Sequence, residues 1–511
     1  MPRIRHFTIA ASGAGLLIGC ATSAIDMAPN QPDRPWTPPT ETNGEIIAGA
    51  KPDEDKPSSS YVLPPNPAAG TVPPALDLKP DKAYNLPELI DIAQSNNPLT
   101  RIAWNNARDA ALAAGIVQSA YLPRLSANAL GGYQTAQGQS TALGVSTTNS
   151  VSASGGISAL SLQWLLFDFG ERAAAEDVAK QGSVLSNIGF TAAHQQLIYS
   201  VSVAFYAYSA ARARAVNATQ TLRDAQAVQA AAEDRLKHQI GTVTEVAQAR
   251  QATAQARFAL VQAEGAQQNG YLSLLSAMGI SPLNKIKIAD TSGRQLKPAM
   301  KDRIDSILSA ALARRPDVLA AFATERASSA NIRAAEAEFL PKLFVTASGG
   351  YNFGGLEVTA VPAIGAQGTA TYNISGTHLN ATVLAGVTVP LYDGGVRAAA
   401  LEQAQTKADT AKLQLANTQQ EAVRQIVFAD NALNTSLSSY AAASELVRAS
   451  QTSFDAALAS YRKGVGSISD ATLAETQLLQ AKNARTDAYS TALGAAAALA
   501  LATGSLGSAP P

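Results

Sequence analysis

Chemistry-bearing residues are scarce in this chain. Cys20 is the single cysteine in 511 residues, so no disulfide can form within one copy. His6, His194, His238 and His378 are scattered with no ligand spacing between them, and no metal site is expected. There is no His-x-x-His pair, no phosphate-binding loop and no Gly-x-Ser-x-Gly elbow, so neither a catalytic constellation nor a cofactor is expected. Lys plus Arg number 39, as do Asp plus Glu, and no basic tract occurs, which argues against nucleic acid as a partner. Charged residues are 15% of the chain, against roughly 25% in soluble domains. Beyond the N-terminus, however, no run of about 18 apolar residues is available to span a membrane as a helix. Low charge without such helices fits a β-barrel contribution or broad helix–helix interfaces.

The N-terminus does carry a signal. Arg3 and Arg5 precede a mostly apolar run from Phe7 to Ile18, and Leu17-Ile18-Gly19-Cys20 resembles a bacterial lipobox. That resemblance implies removal of residues 1–19 and acylation of Cys20. Ala21, where an aspartate would retain such a protein, implies sorting to the outer membrane. Residues 20–80 are rich in proline, which lacks a backbone donor and fixes φ, so they read either as an extended segment behind the lipid or as plain disorder.

The remainder repeats itself. Pro98 to Pro316 and Pro123 to Pro341 are both 218 residues apart, and Leu-Pro-x-Leu followed by Gly-Gly-Tyr occurs at Leu122 and again at Leu340. Asp168 to Asp393 and Gly241 to Gly466 are both 225 apart, so seven extra residues entered the second copy between Tyr351 and Tyr392. A hairpin tip tolerates such an insertion. The two repeats span 81–285 and 299–503, with a short tail at 504–511.

Each repeat predicts helix, β-hairpin, long helix, return helix. Pro123 and Pro341 end the first helices and start strand-like alternation. Hairpins are expected at about 124–167 and 342–392, with Gln134–Ser150 and Gly354–His378 as Ser/Thr/Gly-rich loops. Leu343, Val345, Ala347, Gly349 and Tyr351 share one face, and Lys342, Thr346, Ser348 and Asn352 the other. Proline is absent from 170–238 and 395–462, and helices of that length span on the order of 100 Å. A seam from Val423 and Ile426 through Phe454 and Leu458 to Tyr461 alternates three- and four-residue steps, as in a coiled coil.

Gly241, Gly464 and Gly466 mark the helical reversals, and return helices are expected at 243–277 and 468–502. Thr242 and Glu245 have the spacing of a capping box, and Ser467 and Asp470 repeat it. Phe167-Asp168-Phe169-Gly170 shares letters with a kinase metal-binding triplet. Its partner at Tyr392-Asp393-Gly394-Gly395 points instead to a strand–helix junction, in which Asp168 and Asp393 cap the long helices.

As a set, the lipobox, the paired Leu-Pro-x-Leu … Gly-Gly-Tyr strands and Tyr461-Arg462-Lys463-Gly464-Val465-Gly466-Ser467 resemble the outer-membrane efflux proteins of the TolC family. The resemblance implies a mixed α and β membrane protein. In it, a homotrimer builds a 12-stranded β-barrel in outer-membrane lipid, continued by a periplasmic helical barrel. It implies a periplasmic adaptor and an inner-membrane pump as partners, with passive passage through the tube. It also implies an acidic ring at the periplasmic aperture, where this chain has Asp470 but Leu473 in place of a second aspartate; Glu245 is the first repeat's counterpart. Capping a helix N-terminus is an equally weighted role for Asp470. Small-molecule export is the first reading, type I protein secretion the second, and a poreless periplasmic scaffold the third.

Overall fold

The computed structural model describes residues 23–29, 31–51, 60–72, 74–142, 145–290, 296, 304–354 and 378–507. The expected signal segment, residues 1–19, and Cys20 lie outside the described residues. The chain divides into two compact units, up to Asp77 and from Leu78 onward. In the first, Ser23–Met27 form a 3-10 turn, Thr40 bridges Ile46, and the Tyr61 hydroxyl donates to the Asp33 carbonyl at 2.9 Å.

The second unit opens with β1 (Ala83–Tyr84), α1 (Leu86–Asn96) and α2 (Pro98–Gln118), followed by the hairpin β2 (Arg124–Ala142) and β3 (Val145–Phe167). Next come α3 (Glu171–Lys237), α4 (Val243–Met278) and β4 (Lys287–Ile288). The second repeat follows as α5 (Ile304–Leu312), α6 (Pro316–Ala337), β5 (Lys342–Gly354), β6 (His378–Thr388), α7 (Val396–Arg462) and α8 (Ile468–Ala502). Strands β1 and β4 pair in parallel over two residues, too short a stretch for any periodicity to reveal.

The helices α3 and α7 are each 67 residues long. α3 packs along α2, α4, α6 and α8, and α7 along α6 and α8. The α7 seam is buried at Ile426, Phe454 and Tyr461 and half-buried between them. A second line of small residues, Ala422, Ala429 and Ser436, is buried at seven-residue spacing and lets a second helix approach closely. At the breaks between short helices, the Asn97 amide donates to the Ala277 carbonyl at 3.4 Å and the Arg315 guanidinium to the Ala502 carbonyl at 2.8 Å. Asn97 and Arg315 are 218 apart and Ala277 and Ala502 are 225 apart, so both repeats satisfy the end of a return helix from the same station.

Four strands form one antiparallel sheet in the order β2-β3-β5-β6. The register places Leu125 opposite Leu162, Leu162 opposite Ala347 and Ala347 opposite Val383, so the apolar sets of all four strands fall on one face. Ser126, Ser161, Ser348 and Thr382 form the corresponding row on the other face. One expectation is corrected here. Of the expected Gln134–Ser150 loop, residues 134–142 and 145–150 are strand, with β2 and β3 in register to Ala142↔Val145. Polar composition alone resembled a loop, but Thr favours strands and a partner strand pairs with this stretch along its described length. The 355–377 part of the second expected loop lies outside the described residues.

Candidate aperture at the helical tips

Each long helix ends in the same reversal. In the first repeat, Ile240 N and Gly241 N both donate to the Arg235 carbonyl; in the second, Val465 N and Gly466 N both donate to that of Ser460. The left-handed residue is Gln239 (φ 60°) in one turn and Gly464 (φ 80°) in the other. A Cβ on Gly466 would come within 2.9 Å of the Ser460 side chain, and one on Gly241 within 3.0 Å of Arg235 and of the Leu236 backbone, so both glycines permit close approach.

Thr242 caps α4, accepting from Glu245 N at 3.2 Å. The predicted capping box is nevertheless incomplete, because the Glu245 carboxylate turns away from the cap and accepts from the Tyr461 hydroxyl at 3.2 Å. A charged acceptor beside a buried phenol is the stronger partner. A complete box occurs instead at Asn85 and Glu88, ahead of α1. At the second tip, Asp470 N donates to Ser467 Oγ at 3.1 Å, and the Ser467 hydroxyl donates to the Asp470 carboxylate at 2.7 Å. Asp470 is exposed and Glu245 half-buried, so the two acids sit in different environments.

Arg235 joins the two tips. Its guanidinium donates to the carbonyls of Tyr461 (3.1 Å) and Ile240 (3.2 Å), lies 5.1 Å from the Tyr461 ring centroid, and approaches Glu245 at 3.9 Å. Tyr461 is 1% exposed, within a cluster that includes Val228 and Val246 of the first repeat and Ile468 of the second. Burial, and then the charge of Glu245, pushes its phenol up to about 12, so it remains a donor. Further along α8, Glu475 is 5% exposed and its Oε2 has no partner. Burial, with a smaller contribution from the Asp224 charge, pushes that carboxyl up to about 7. Sequence reasoning missed Arg235 and Glu475. The heptad step Ile468, Ala471, Glu475, Leu478 could have exposed the second; nothing local marks the first.

At the opposite ends of the long helices, Asp168 accepts from Arg172 N (2.9 Å) and Arg172 Nε (2.8 Å), and Asp393 accepts from Arg397 N (3.0 Å) and Nε (2.8 Å). Arg172 also donates to the carbonyls of Ala120, Leu165 and Leu166 and covers the Tyr121 ring, tying β3 to the chain just ahead of Pro123 and β2. Arg397 covers Phe339, just ahead of Pro341 and β5. Phe169 takes a left-handed φ of 54° where the second repeat has Gly394 (φ 72°). Among the described residues, no group of three or more His, Cys, Asp and Glu is placed to hold a metal ion.

Residues 89–280 and 307–505 match the family model described as outer membrane efflux protein. Protein CyaE of Bordetella pertussis is 26% identical over 329 residues, 64% of this chain and 63% of that protein. Outer membrane protein OprJ of Pseudomonas aeruginosa is 27% identical over 301 residues, 58% of this chain and 59% of that one. The matches thus span a little under two thirds of these curated relatives. The crystal structure of the outer membrane protein VceC from Vibrio cholerae shares the fold at a TM-score of 0.66 and 20% identity, covering 82% of this chain and 96% of that one.

Proposed function

This chain belongs to the outer membrane efflux protein family, and from that membership we propose that it is the outer-membrane channel subunit of a tripartite efflux system. The observation that carries the reading is the two-faced sheet with open edges. Apolar side chains of all four strands share one face, polar ones line most of the other, and β2 and β6 end the sheet. Lipid on one side and water on the other suit such a wall. An open edge in lipid leaves backbone groups unpaired at several kcal/mol each, so copies must pool their strands. Three copies supply twelve strands, and their long helices continue the wall into the periplasm.

Passage is passive, driven by an inner-membrane pump that reaches the helical tips through a periplasmic adaptor. An acylated Cys20 ties the N-terminus to outer-membrane lipid, each buried CH₂ contributing ~0.8 kcal/mol. The tips form the closed end: Arg235, Tyr461 and Glu245 lock the two hairpins of one copy together, and three exposed Asp470 carboxylates favour cations at the opening. Small-molecule export is preferred to protein secretion because efflux is what the family description names. The test is reconstitution into planar lipid films beside native mass spectrometry. Trimers with steady ion conductance are expected; a detergent-stable monomer that conducts nothing overturns the reading.

A further inference from the structure

The sheet register bears on where lipid meets water. On the apolar face, Phe167 lies opposite Leu343 and Trp164 opposite Val345, near the end where α3 begins. Phe167 reaches this face only because the register shifts between Leu165 and Phe167; strict alternation from Trp164 would turn it to the other side. Toward the far end of the same face, Tyr351 lies opposite Ser158, Phe353 opposite Gly156 and Tyr133 opposite Ser154. The Phe353 ring covers Gly156, where any Cβ would come within 2.7 Å of it. Between the two aromatic rows the face carries no charged residue.

From Leu343, level with Phe167, to Phe353 is ten residues. At ~3.3 Å per residue and a tilt of ~45° that is roughly 23 Å, against an apolar band of about 25 Å in outer-membrane barrels. Aromatic rings with an apolar body and a polar tip gather at the two faces of a bilayer. Trp164 has that character, its indole N–H donating to the Tyr121 carbonyl at 2.9 Å, and both upper tyrosines are well exposed. Among the described residues, β5–β6 pairing reaches Asn352↔His378, and β2–β3 pairing runs on from Gln134↔Ala153 to Ala142↔Val145. Residues 134–153 contain no charged and no aromatic residue and are rich in Ser, Thr and Gln.

We propose that these rows fix the lipid boundaries of the inserted sheet, Trp164 and Phe167 on the periplasmic side and Tyr133, Tyr351 and Phe353 on the outer side. The remainder of the β2–β3 hairpin stands beyond the lipid as a hydroxyl- and amide-rich prong among the polar headgroups. The inference rests on the insertion proposed above. It is tested by single cysteines in the full chain, reacted on intact cells with a membrane-impermeant maleimide beside an unsubstituted control. Val383→Cys lies on the apolar face between the rows, opposite Ala347, and Thr382→Cys on the polar face, opposite Ser348. Thr135→Cys and Ser152→Cys share the apolar side of the sheet, opposite each other just past Tyr133.

Thr382→Cys, Thr135→Cys and Ser152→Cys are expected to label at least tenfold faster than Val383→Cys. If Val383→Cys labels as fast as Thr382→Cys, insertion itself fails. If Val383→Cys is protected and Thr135→Cys and Ser152→Cys are protected with it, insertion stands and the outer boundary is overturned. Ala381→Cys, on the same face as Val383 and opposite Gly349, serves as a second protected position should Val383→Cys assemble poorly.

Discussion

The Arg235 guanidinium, near the end of the first long helix, lies 5.1 Å from the centroid of the Tyr461 ring near the end of the second. With the Tyr461 hydroxyl donating to Glu245, one phenol is held by two groups of the other hairpin. That contact sets the first expectation.

Tyr461→Phe keeps the ring and its contact with Arg235 but removes the donor to Glu245. Since Glu245 remains partly solvated, the loss is about 1 kcal/mol, or roughly fivefold in a closed-to-open ratio. Basal conductance in planar films should rise by about that factor. An unchanged leak would mean that this hydrogen bond does not hold the tips.

Asp470→Asn preserves an acceptor for Ser467 while removing the charge. If three carboxylates select ions at the aperture, cation preference measured from reversal potentials should fall. Identical reversal potentials, combined with a small loss of stability, would assign Asp470 to helix capping alone.

Glu475 gives stability a pH dependence of known sign. Its carboxyl rises from an ordinary 4.5 to about 7 on folding, so below about pH 4.5 it is neutral in both states and costs nothing. Between there and pH 7 the unfolded chain releases the proton first, and stability falls as pH rises. The loss levels off above 7 at about 3 kcal/mol. Glu475→Gln should therefore be more stable than the parent at pH 8 and equal to it near pH 4. A constant difference at every pH in thermal unfolding would refute the assignment.

Gln239 holds a left-handed φ that a side chain disfavours, while its counterpart Gly464 does not pay that steric cost. Gln239→Gly should stabilise by roughly 0.5–1 kcal/mol. Gly464→Ala should cost about 1–2 kcal/mol, since a Cβ there also comes within 3.0 Å of Arg235. Thermal midpoints that move the opposite way would count against the geometry of both turns.

The two junction ion pairs differ in burial, and their loss should differ with it. Side chains of Arg172 and Asp168 are 10% and 7% exposed, whereas Asp393 is 32% exposed. Arg172→Ala strands a buried carboxylate and should cost about 3–5 kcal/mol, and Arg397→Ala distinctly less. Denaturant midpoints of the two variants provide the comparison.

Much of the fold was legible because its signals are local. Thr242 and Ser467 start helices wherever they stand, since a hydroxyl two or three residues ahead satisfies an orphan N–H. Alternation at Leu343, Val345 and Ala347 described a two-faced strand without reference to its neighbours. The 134–150 segment misled for the opposite reason: its strand character comes from a partner strand, not from its own residues. The predicted role for Glu245 in a capping box failed likewise, because its better partner, Tyr461, is 216 residues away.

Proline spacing, glycine placement and hydrophobic period determined helix lengths, reversals and the repeat, since each acts through backbone torsions within a few residues. Tertiary structure alone decided that Arg235 would meet Tyr461, that Glu475 would be buried without a partner, and that four apolar strand faces would align. Those outcomes depend on which surfaces exclude water together, and no short stretch of chain contains that information.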